Sequence, residues 1–213
     1  MDNDQAKKLR DLVSQTNECS VIIFLSSEEG VGKTAITTNL ASLLCKADKN
    51  TLLIDCGSGL LTTDILLNIV PKHGIKKLIS QGKSIDECLT IVDDNLKVLY
   101  GKSLVEEFKK EDIKLDVVQD QIQYIKNNFD FVLIDIDTCD VNFILDIFKE
   151  NVEFVFILPP EDLKCLQETY ATIKYISKDT PINNIKIIIN KVEDLNSANE
   201  TYDRLSMVAE KFL

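Results

Sequence analysis

Residues 20–46 constrain this chain more tightly than any other stretch. Val21-Ile22-Ile23-Phe24-Leu25 is a short, β-branched apolar run, and Ala35-Ile36-Thr37-Thr38-Asn39-Leu40-Ala41-Ser42-Leu43-Leu44 carries helical spacing. Between them stands Ser26-Ser27-Glu28-Glu29-Gly30-Val31-Gly32-Lys33-Thr34. Strand, Gly-containing loop and helix form the context in which a phosphate-binding loop is credible. Such a loop wraps an anion with backbone N–H groups at a helix N-terminus, where the dipole adds partial positive charge. Lys33 would reach the outer phosphates, and the Thr34 hydroxyl would ligate Mg²⁺. The usual pattern is G-x-x-x-x-G-K-[S/T]; its first Gly is Ser27 in this chain.

Beyond this unit, strand-like and helical segments alternate. The strand candidates are 20–25, 51–54, 96–99, 131–135, 153–158 and 184–189. Helical stretches are expected at 34–46, 74–81, 112–127, 141–149, 161–177 and 197–212. This order predicts an α/β fold: a mainly parallel twisted sheet with helices on both faces. Continuously apolar strands such as Phe131-Val132-Leu133-Ile134 fit doubly covered, central positions. With 213 residues and 45% hydrophobic content, one domain with a sizeable core is the economical expectation.

Ligands of such sheets sit at the carboxyl ends of the strands. Four candidate strands end there in polar residues: the loop itself, Asp55-Cys56-Gly57-Ser58-Gly59, Asp135-Ile136-Asp137 and Asn190-Lys191. An Asp after a strand is often only a cap or turn residue. Four such ends in order behind a phosphate loop point to one shared site.

A net charge of -11 argues against nonspecific nucleic-acid binding and against docking on anionic lipid. None of the six cysteines stands as C-x-x-C, and His73 is the sole histidine, which disfavours a His-based metal site or a Ser-His relay. Reduced, buried cysteines and the lack of a signal peptide or spanning run predict a cytoplasmic protein. Residues 1–17 read as a separate arm, with Ala6, Leu9, Leu12 and Val13 in a narrow helical stripe. Two readings of the arm stand side by side: a helix that packs on its own domain, and a helix that binds a partner.

The motifs carry a resemblance. Lys33 with Thr34-Ala35-Ile36-Thr37-Thr38-Asn39-Leu40-Ala41 resembles the deviant-Walker P-loop ATPases of the MinD/ParA group. Residues 52–67 are similar to that group's second motif, and Phe129-Asp130-Phe131-Val132-Leu133-Ile134-Asp135 to its Walker B strand. Pro160-Glu161 and Asn190-Lys191 resemble its adenine-side loops. Asp4-Gln5-Ala6-Lys7-Lys8-Leu9-Arg10 is similar to the D-Q-A-x-x-L-R motif that opens the FlhG (YlxH) family. The resemblance implies ATP or ADP with Mg²⁺ as cofactors. Gly30, Val31, Gly32, Lys33, Thr34 and Ala35 would hold the phosphates, with Pro160 and Asn190 at the adenine. Thr34 and Asp135 would hold the metal. Asp55 and Lys33 would serve catalysis. For the arm it implies contact with the FlhF GTPase through Asp4, Gln5, Ala6, Leu9 and Arg10. Flagellar basal-body proteins are further expected partners, and residues 18–213 would form the MinD-like domain.

Four departures qualify that expectation. The family's signature lysine, which reaches across an ATP-bridged dimer, is Glu28 here, and the following Gly is Glu29. Two unit charges 4 Å apart differ from neutrality by roughly 4 kcal/mol at an effective dielectric near 20, so a reversed sign is not small. The second Asp of the family's D-x-D, which orients the attacking water, is Gly57. Asp137-Thr138-Cys139 replaces a small, Gly-rich turn. The final strand and amphipathic membrane helix usual in the family do not follow within this sequence, which predicts a protein without that membrane contact. Together these predict weak or absent nucleotide binding and hydrolysis, and a monomer rather than an ATP-bridged dimer. The competing expectations are an active ATP switch that dimerises, and a small metabolic P-loop ligase.

Overall fold

The computed structural model describes residues 19–57, 62–71, 84–101, 115–138, 141, 145, 148 and 152–212. The arm lies outside these residues, as does the helix expected at 74–81; of 141–149 only three positions are described.

Among the described residues, seven strands form one sheet: β1 Ser20–Ser26, β2 Thr51–Asp55, β3 Thr90–Asp93, β4 Leu96–Tyr100, β5 Phe131–Asp137, β6 Val152–Leu158 and β7 Ile185–Ile189. Their order is β3-β4-β2-β5-β1-β6-β7. All neighbours are parallel except β3 and β4, an antiparallel pair at one edge. The first strand therefore sits inside the sheet, between β5 and β6, and the connection out of it opens at the carboxyl edge where ligands of such folds bind.

Helices α1 Lys33–Lys46, α2 Thr63–Leu67, α3 Ile85–Cys88, α4 Leu115–Asn128, α5 Leu163–Ile176 and α6 Leu195–Phe212 cover the sheet. Alternate residues of each central strand face opposite sides. Ile23, Leu25, Ile134 and Phe156 enter the core shared with α4, α5 and α6, while Phe24, Leu133 and Val155 enter the core under α1. That alternation explains why the central strands read as continuous apolar runs: both faces are covered. Leu205 of α6 is buried. Among the described residues, α1 covers only part of the second face. Ile22, Leu40, Val155 and Ile188 line a groove of about 600 Å³ there, rimmed by Glu153 and Lys186.

Two differences from the sequence-based expectation concern β3 and β5. β3 was not expected. It pairs with β4 across Asp94-Asn95. β5 continues past Asp135 to Asp137, so Asp137 belongs to the strand rather than to the turn after it.

Candidate functional site: a phosphate loop backed by three carboxylates

The loop's backbone explains which of its residues tolerate change. Gly30 (φ 72°) and Gly32 (φ 96°) hold left-handed conformations that only glycine adopts without strain. Positions 27, 28 and 29 are not among the residues with positive φ, so Ser, Glu and Glu fit them without a backbone penalty. Ser26 braces the turn, its hydroxyl donating to the Glu28 carbonyl at 2.9 Å and accepting from the Glu28 N–H at 3.1 Å. Ser27, in place of the motif's first Gly, donates its hydroxyl to the Cys165 carbonyl at 3.2 Å and lies 3.3 Å from the Cys165 thiol. It thus ties the loop to the first turn of α5. Burial pushes that thiol's pKa up, so Cys165 stays a neutral packing group.

Glu28 and Glu29 are solvent-exposed. Water screens carboxylates in that position, so the direct repulsion expected from Glu28 is muted. What the site lacks at position 28 is a cation, more than it carries a clash.

Lys33 opens α1 and points inward. Its Nζ makes an ion pair with Asp135 Oδ1 and lies 3.4 Å from Asp137 Oδ1. Burial opposes the ammonium charge, but Asp135 and then Asp137 more than offset it, and the Lys33 pKa is raised. The first turn also carries Thr34, half-buried, while the Lys33 carbonyl accepts from the Thr37 hydroxyl at 2.9 Å.

Parallel pairing of β2 with β5 puts Asp55 beside Asp135. Asp55 Oδ1 accepts from the Gly57 N–H at 3.1 Å and Oδ2 from the Thr63 N–H at 3.2 Å. Burial pushes the Asp55 pKa up, and the Asp135 charge adds to the rise. Asp135 is fully buried, and its Oδ2 has no hydrogen-bond partner among the described residues. An orphaned, buried carboxylate oxygen beside a hydroxyl-bearing helix start fits Mg²⁺, a hard cation with oxygen ligands. Among the described residues no three His, Cys, Asp or Glu side chains are arranged to hold a metal unaided. Mg²⁺ bound through one or two carboxylates, waters and substrate phosphates needs no such cage. Asp135 and Thr34 would hold the ion, which would supply charge neutralisation at the phosphates, with Asp55 orienting its surroundings.

The remaining expected contacts come from β6 and β7. Asn190 Nδ2 donates to the Val31 carbonyl at 2.7 Å, and a Cβ at Gly32 would stand 2.5 Å from that same nitrogen. Gly32 is therefore required twice, by its φ and by Asn190. Asn190 thus braces the loop, a role that sequence could not reveal because the two groups lie 159 residues apart. Pro160 stands half-buried after β6. Both loops turn on a left-handed non-glycine residue, Glu161 (φ 62°) after Pro160 and Lys191 (φ 61°) after Asn190. Strained backbone of this kind concentrates at functional sites. The expected residues Gly30, Val31, Gly32, Lys33, Thr34, Ala35, Asp55, Asp135, Pro160 and Asn190 all lie at one edge, where β1, β2, β5, β6 and β7 end. Asp137, which the sequence places at a polar strand end and marks as a departure, joins them through Lys33.

A parallel α/β sheet with a glycine-bearing loop between its central strand and a helix, a buried lysine and acidic strand ends defines a P-loop nucleotide-binding domain. The chain belongs to the CobQ/CobB/MinD/ParA nucleotide-binding-domain family, whose profile matches residues 22–213. Its relatives include the antiactivator FleN of Pseudomonas aeruginosa, 21% identical over 91% of this chain and 69% of that protein. The flagellum site-determining protein YlxH of Helicobacter pylori is 25% identical over 97% of this chain and 73% of its own length. The septum site-determining protein MinD of Synechocystis is 24% identical over 89% of this chain and 72% of that protein. Among solved structures, a ParA-family ATPase from Chlorobium tepidum superposes with a TM-score of 0.71 at 17% identity, covering 87% of this chain and 80% of that one. MinD from Pyrococcus horikoshii, solved with Mg-ADP, gives 0.58 at 18% identity, covering 79% and 68%. Among the described residues no helix is long and apolar enough to cross a membrane.

Proposed function

We propose that this chain is a cytoplasmic, FlhG-like regulator of flagellar number or placement that works by protein contact, holding Mg·ATP or Mg·ADP while hydrolysing ATP slowly or not at all. The observation that carries this is a split within one site. Lys33, Asp135, Gly30 and Gly32 keep the geometry for holding phosphate and metal. Position 28 presents an exposed carboxylate, and position 57 a glycine whose missing Cβ would stand 3.5 Å from Asp55 Oδ1. Phosphoryl transfer depends on positioned charge and a positioned nucleophile, and both are thinned here. Support for the flagellar setting comes from the flagellum site-determining relative YlxH and from the Asp4-Gln5-Ala6-Lys7-Lys8-Leu9-Arg10 motif. The partners on this account are an FlhF-type GTPase, met by the arm, and flagellar basal-body proteins, met by the domain.

The test is GTP turnover by the FlhF protein of the same host with and without this chain. The full chain is expected to accelerate turnover several-fold, and deletion of residues 1–17 to abolish the acceleration. Stimulation that survives the deletion contradicts the arm's role.

A further inference from the structure

We propose that Asp137 is an affinity-setting clamp on the phosphate loop: it competes with nucleotide phosphate for the Lys33 ammonium, and so keeps the site's affinity low. The proposal rests on the nucleotide-holding role above and names the residue that tunes it.

Because β5 runs unbroken to Asp137, Asp135 and Asp137 are two apart on one strand and their side chains emerge on the same face. The register sets Asp137 opposite Ser26, the last residue of β1 and the root of the loop. Lys33 bonds Asp135 and stands 3.4 Å from Asp137 Oδ1. The two carboxylates differ in exposure: the Asp135 side chain is sealed, whereas that of Asp137 is 29% exposed. Asp137 is thus the outer of the pair, with water access that Asp135 lacks.

The charge count explains why this matters. Asp135 and Asp137 flank one ammonium, Asp55 stands beside Asp135, and the loop's other charged side chains, Glu28 and Glu29, are acidic. Asp135 has a second task, since its free Oδ2 suits a metal or its water. Asp137 contacts the site through its 3.4 Å approach to Lys33 Nζ. An entering phosphate must exchange its own oxygens for those of Asp137 around Nζ. A partly exposed charge-assisted contact of this type shifts a binding constant by about tenfold.

The experiment is calorimetric titration with ADP, once with Mg²⁺ and once in EDTA, on the full chain and its variants. Asp137→Asn is expected to bind ADP about tenfold tighter in both conditions. Asp137→Ser should move in the same direction if the amide disturbs folding, and Asp137→Glu should restore the original affinity. Lys33→Met serves as the reference that loses binding. Unchanged affinity in folded Asp137→Asn and Asp137→Ser, with binding still lost in Lys33→Met, overturns the clamp and leaves the nucleotide role intact. Weaker binding in Asp137→Asn only when Mg²⁺ is present makes Asp137 a metal-side ligand and also overturns the clamp. ADP binding that survives Lys33→Met overturns the nucleotide role itself.

Discussion

Restoring two side chains, Glu28→Lys together with Gly57→Asp, is expected to raise ATP turnover by about 100-fold and to shift the protein to a dimer in the presence of Mg·ATP. A single positioned group that stabilises or orients the reacting atoms is worth about 100- to 1,000-fold. Here one change supplies a water-orienting carboxylate and the other a cation for a partner's phosphates. The geometry accepts both. A Cβ at position 57 would meet Asp55 Oδ1 at 3.5 Å and Asp135 Oδ1 at 3.7 Å, ordinary contacts, and no positive φ stands in the way. Position 28 is exposed and lies outside the left-handed part of the loop. Phosphate release and light scattering read out the two halves of this expectation. No gain in either would contradict the reading that positions 28 and 57 limit hydrolysis and dimerisation.

Lys33→Met is expected to lower the stability of the nucleotide-free protein by about 3 kcal/mol, although the new side chain is apolar and similar in length. The cost is the partner left behind: Asp135 is 0% exposed and shares its neighbourhood with Asp55. Breaking a buried ion pair from one side costs about 3–5 kcal/mol, whereas removing both charges can be nearly neutral. Adding Asp135→Asn to Lys33→Met should therefore recover most of the loss, which denaturant unfolding of the four proteins in the cycle measures. A single Lys33→Met variant as stable as the original would mean that the pair contributes little to the empty fold.

The alternation of apolar runs and helical periods made the sheet and its covering helices legible before any coordinates, and the acidic ends of β2 and β5 gave the site its edge. Three features were not legible, each for a physical reason. β3 is a four-residue edge strand whose Ile91 is exposed, so it lacks the buried apolar run by which strands announce themselves. The extension of β5 to Asp137 is set by pairing with β1, a tertiary contact that overrides the polar composition of Asp135-Ile136-Asp137. The bracing of Val31 by Asn190 and of Ser27 by Cys165 joins residues more than a hundred positions apart. The sequence also made Glu28 a source of repulsion, whereas its exposure makes the missing cation the larger effect.

The most direct measurement is light scattering on the eluting, unaltered protein at saturating Mg·ATP, with nucleotide binding recorded on the same sample. Bound nucleotide with an unchanged mass of 24.0 kDa is the predicted result. A mass twice that, appearing with ATP and vanishing with ADP, would contradict a contact-based regulator and restore an ATP-driven switch.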